Sequence, residues 1–80
     1  MSTSPETAHR ADDRIVTLLS QWLARHVDDD ELRREVESIG TAELSAGQAK
    51  AVDELLAELS SDRGQNEMLV RETLEALALG

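Results

Sequence analysis

The chain contains no cysteine, phenylalanine or tyrosine, and only one tryptophan, one proline and one lysine. Without cysteine there is no disulfide framework, no thiolate nucleophile and no cysteine zinc site. The near-absence of aromatic residues, together with few β-branched ones, removes the usual material of strands. No apolar run approaches the ~20 residues needed to cross a bilayer. The opening "MSTSPETAHR" has no basic stretch leading into an apolar core, so no secretory signal is read and a cytoplasmic location is expected. Nor is positive charge concentrated anywhere. Residues 1–40 carry 5 basic and 9 acidic side chains, and residues 41–80 carry 3 and 8, which together give the net −9. A phosphate backbone is gripped chiefly by Lys and Arg. An evenly acidic chain is therefore not expected to bind nucleic acid.

What is present is helix-forming. Twelve Leu and ten Ala dominate the apolar residues, with Glu and Arg dominating the charged ones. All four types favour helix. An apolar share of 40% is too high for a disordered tail, and eighty residues make one domain. The expectation is an all-α fold, a small bundle of about four short helices, with residues 1–4 a short disordered N-terminus and 5–80 the helical domain. Seven of the eight basic residues are Arg, a bias common in GC-rich bacterial genomes.

The joins can be placed from local chemistry. Ser4, Pro5 and Glu6 have the order of an N-cap, a first helical residue and a first-turn acid. Helix 1 is then read over about 5–27. Its apolar rows are Ile15, Leu18 and Trp22, and Val16, Leu19, Leu23 and Val27, and they cover roughly 180° of the wheel. This breadth makes helix 1 the central element. Continuing the same wheel would splay Leu32, Val36 and Ile39 to another side, so a break is expected near 27–29. Asp28 and Glu31 have capping-box spacing, and Gly40 suits the left-handed position after helix 2. Ser45 and Gln48 repeat the box before the stripe Ala49, Val52, Leu55, Leu56 and Leu59. "SSDRGQN", residues 60–66, reads as a turn. Helix 4 follows, with Leu69, Val70, Thr73, Leu74 and Leu77 on one face and Met68 and Leu79 opposite.

The stretch that most resembles chemistry is "HVDDDELRREV", residues 26–36. A calcium loop needs oxygen ligands at alternate positions, a glycine at the sixth and a glutamate at the twelfth. The stretch has no such pattern. Asp28, Asp29 and Asp30 are read as helix-capping charges at the positive end of the dipole, and no metal is expected. Glu6 and His9 have the Glu-x-x-His spacing of di-iron bundles but no second copy. His26 is read as a cap for the carbonyls ending helix 1. Arg33 and Arg34 are read as i,i+4 partners of neighbouring acids on a wet face. No nucleophile elbow, glycine-rich phosphate loop or histidine pair is present. No catalytic activity, cofactor or small-molecule substrate is therefore expected.

In length, acidity and helix count the chain is similar to acyl and peptidyl carrier domains. There a phosphopantetheine sits on the Ser of an Asp-Ser-Leu motif at a helix start. The corresponding stretch here is "IGTAELSAGQ", with Ser45 at a helix start but Leu44 and Ala46 in place of the Asp and Leu. The resemblance implies modification at Ser45, and those two departures remove the motif that would direct it. A further alternative is an acidic antitoxin or nucleic-acid mimic that neutralises a basic partner. The reading the residues favour is a non-enzymatic interaction module, an adaptor, regulator or inhibitor. It would dock a protein partner or a second copy through the helix 1 face of Val16, Leu19, Trp22, Leu23 and Val27, along its Val16–Leu23–Val27 edge, with Trp22 in the core beside that edge.

Overall fold

A computed structural model describes residues 10–79. Four helices follow one another: α1 (Ala11–Leu23), α2 (Asp29–Ile39), α3 (Ala46–Glu58) and α4 (Arg63–Leu79). Neighbours in sequence pack as pairs, α1 with α2 and α3 with α4. The pairs join where α4 lies against α1. The order of contact is α2–α1–α4–α3, so the central position expected for helix 1 is shared with α4. Fully buried Ile15, Leu19 and Trp22 from α1 meet Leu32 and Val36 from α2, Val52 and Leu55 from α3, and Val70 and Leu77 from α4 in one cluster. The apolar stripes assigned from periodicity are the faces that are buried.

The start of α1 expected at Ser4 and Pro5 lies outside the described residues. Its end corrects the sequence reading. The helix stops at Leu23, four residues before Val27. The His26 N–H donates to Gln21 O at 2.8 Å and the Arg25 N–H to Trp22 O at 3.0 Å. This is a Schellman closure, which needs the first of the two donors in the chain to be left-handed. That residue is Arg25, at φ +67°. No glycine marks the place, so the sequence carries no stop signal there. The turn returns Val27 to the core, where it is 8% exposed.

The other joins follow local rules more closely. Asp28 caps α2 by accepting from the Glu31 N–H at 2.7 Å. At α3 both halves of the box form, with the Gln48 N–H donating to Ser45 Oγ at 3.2 Å and the Ser45 N–H to Gln48 Oε1 at 3.1 Å. Gly40 closes α2 at φ +76° and ψ −177°. Its φ is positive as expected, but ψ lies outside the left-handed helical basin, in a region open essentially to glycine alone. Residues 63–66, read as turn, are the first turn of α4. Asp62 caps it, accepting from the Gln65 N–H at 3.2 Å. Asp62 and Gln65 have the same spacing as Ser45 and Gln48, and Gly64 between them masked the signal. Buried Asn66 then clamps the α3–α4 join. Its Oδ1 accepts from the Ser60 N–H at 3.1 Å and its Nδ2 donates to Ser60 O at 2.8 Å.

Two backbone positions therefore have opposite requirements. Arg25→Gly should relieve left-handed strain, offset in part by a freer unfolded chain, and stabilise by about 0.5–1 kcal/mol. Gly40→Ala should destabilise by about 1–3 kcal/mol. The cost there is purely backbone, because a Cβ at Gly40 meets nothing within 4 Å. Thermal melting reads both changes, at about 4–8 °C per kcal/mol for a domain of this size.

Candidate functional site

The aspartate run does more than cap. Trp22 is the one large aromatic group, and a buried indole N–H needs an acceptor. Asp29 supplies it, with Trp22 Nε1 donating to Asp29 Oδ1 at 2.7 Å. Asp28 is the N-cap, and Asp30 is exposed on the surface. The three adjacent carboxylates thus have three different environments. On the other side of the indole lies Arg63, the first residue of α4. Its guanidinium carbon is 4.1 Å from the ring centroid, a cation–π distance. Its Nη2 donates to Trp22 O at 3.1 Å. Its Nε lies 3.5 Å from Glu67 Oε2 but makes no hydrogen bond. Arg63 also faces Asp28, Asp29 and Asp30 across a small cleft. This junction of α1, α2 and α4 is held by one indole, one carboxylate and one guanidinium.

Nothing in the sequence pattern singles out Arg63, because its partner is 41 residues away. The same holds for Arg33, whose expected role is corrected. Arg33 crosses to the end of α3, where its Nη1 donates to Leu56 O at 2.9 Å and its Nη2 approaches Leu59 O at 3.5 Å. Among the described residues the ion pairs are Arg10–Asp12 and Arg63–Glu67, so neither Arg33 nor Arg34 pairs along its own helix. For His26 it is the backbone N–H that caps α1, and the side chain is exposed. The Ser45 hydroxyl oxygen is engaged in the α3 box. Glu6 and His9 lie outside the described residues. Among those described, no group of three or more His, Asp or Glu is placed to hold a metal ion, and no helix is long and apolar enough to cross a membrane.

The residues proposed for docking are divided by the fold. Leu19 and Trp22 are fully enclosed and Val27 nearly so. Val16 and Leu23 are half-buried against the core and are what this edge leaves accessible. Among the described residues the large exposed apolar groups are on α4 instead, Met68 at 64% and Leu79 at 89%. Met68 and Leu69 line a hollow beside the α3–α4 join, bounded by Glu58, Asp62 and Glu72. A second hollow along the same seam is lined by Leu55, Leu69 and Thr73 with Glu54 and Glu72. Both are lined by Leu69 and Glu72, so the two hollows adjoin along the α3–α4 seam as a shallow groove.

The junction generates a graded test of the aspartate run. Asp29→Ala leaves a buried indole N–H without an acceptor and should cost about 1–3 kcal/mol. Asp29→Asn keeps an acceptor oxygen and should cost less than half of that. Asp30→Ala loses only a charge near the helix dipole, about 0.3–1 kcal/mol. Urea unfolding followed by Trp22 fluorescence measures all three, and equal costs would show that the run acts as undifferentiated charge.

Searches of family models, curated proteins and solved structures returned no match to this chain.

Proposed function

We propose that the chain is a non-enzymatic interaction module, an adaptor, regulator or inhibitor that presents a helical surface to a protein partner. The observation that carries this reading is the outward face of α4. Met68 is 64% exposed at the mouth of a groove, whereas the other large apolar side chains among the described residues, Leu79 apart, lie in or against the core. Methionine adapts its unbranched, polarisable side chain to irregular partners and is over-used at such surfaces. The accessible remainder of the α1 edge, Val16 and Leu23, is the second face available to a partner or to another copy of the chain. The join at Trp22 belongs to stability, since the indole N–H has its acceptor in Asp29 and the indole face is covered by Arg63.

Affinity capture from cells that naturally express the chain, alongside light scattering of the purified protein, tests the reading with two substitutions. Met68→Glu and Leu23→Glu each place a charge on one face. Circular dichroism establishes that each variant remains helical. Met68→Glu should abolish recovery of a stoichiometric partner, because charging an apolar contact commonly weakens binding at least tenfold, about 1.4 kcal/mol. Loss with Leu23→Glu instead, or dissociation of an oligomer by it, keeps the module and moves the contact to α1. Capture and mass both unaffected by either charge would overturn the proposal.

A further inference from the structure

We propose that the α3–α4 groove takes a basic amphipathic helix of another protein, its apolar side chains on Met68 and Leu69 and its Lys or Arg residues against the groove's carboxylates. The inference rests on the interaction-module reading and names the chemistry of the partner. The groove has an apolar floor of Leu55 and Leu69, with exposed Met68 at its mouth, and an acidic rim of Glu54, Glu58, Asp62 and Glu72. No Lys, Arg or His lines either hollow. The ion pairs among the described residues lie elsewhere, so none of the four rim carboxylates has a cation within 4 Å. Glu54 and Glu58 are moreover four residues apart on one helix, an arrangement in which like charges repel. Cations from outside would relieve that repulsion. Along α3 the groove runs from Ala51 to Glu58, about 10 Å at the helical rise, and continues to Asp62. That length suits two to three turns of a docked helix, the mode in which i, i+3, i+4 and i+7 side chains act as anchors.

Charge decides between occupants. A second copy brings a net charge of −9 to an acidic rim. Its only two adjacent Lys or Arg residues are Arg33 and Arg34, and Arg33 is committed to the end of α3. Nucleic acids and anionic membranes are repelled by the same carboxylates. A basic segment is attracted, and its association is steered by the complementary field.

Fluorescence anisotropy with a labelled leucine–lysine peptide of helical period, about five turns long, tests the proposal on the full chain. The comparison peptides are a leucine–glutamate peptide of the same pattern and a glycine–lysine peptide of the same charge. The leucine–lysine peptide should bind saturably with one-to-one stoichiometry, more weakly as salt rises, and at least tenfold more tightly than either comparison peptide. Glu58→Gln/Glu72→Gln, and separately Met68→Gln, should each weaken binding about tenfold. Glu35→Gln/Glu37→Gln removes the same charge from exposed positions on α2 and should change it less than about twofold. Circular dichroism and melting establish that each variant is folded. Equal weakening by the α2 pair, equal binding of the glycine–lysine peptide, or no binding at all would each overturn the inference. If peptide binding fails while Met68→Glu still abolishes recovery of the cellular partner, the module stands and only its basic partner is lost.

Discussion

A helix ends with carbonyls that have no partner within it, and in this protein none of the four helices has a basic residue in its last turn. Three of the ends are served by side chains from another helix. Arg63 of α4 donates to Trp22 O near the end of α1, Arg33 of α2 to Leu56 O of α3, and Gln48 of α3 to Leu77 O of α4 at 3.0 Å. The fourth end, that of α2, closes through the Gly40 N–H to Val36 O. Each cross-helix donor joins elements that apolar packing alone would leave free to slide. Small apolar cores are tolerant of such shifts. The directional bonds at the ends specify one arrangement.

The same economy explains how a chain with 8 basic and 17 acidic residues holds together. Arg33 and Arg63 are spent on helix ends, where a cation also meets the negative pole of the dipole. Arg63 adds the face of Trp22 and the outlook onto Asp28, Asp29 and Asp30. Few cations remain near α3 and the outer face of α4, and there the surface is acidic around an apolar groove. The arrangement that stabilises the fold therefore also sets the sign of the surface available to a partner.

Much of this fold is legible in the sequence because it is local. Helical period assigns the buried faces of all four helices, and Ser45 with Gln48 and Asp28 with Glu31 mark two helix starts. What the sequence hides is either non-local or ambiguous. Arg25 adopts a left-handed conformation that its residue type does not advertise. Gly64 makes the first turn of α4 look like loop, although Asp62 and Gln65 announce it. The destinations of Arg33 and Arg63 lie 23 and 41 residues away, beyond any periodic pattern. Met68 and Leu79 were readable as lying opposite the buried face of their helix. The groove beside Met68 was not, because its other wall comes from α3.

Gln48 offers the most direct measurement of the central claim, because its two amide atoms act in different places. Oε1 accepts from Ser45 N–H within the box, and Nε2 donates to Leu77 O across to α4. By local rules Glu serves a capping box as well as Gln does, and its charge suits a helix N-terminus. Gln48→Glu therefore separates the two roles. If cross-helix donors hold the bundle, the substitution sets a buried carboxylate against a carbonyl. Urea unfolding at neutral pH should then show a loss of about 2 kcal/mol or more. Unchanged or increased stability would show that the box is all Gln48 contributes, and would contradict the account of how these helices are tied together.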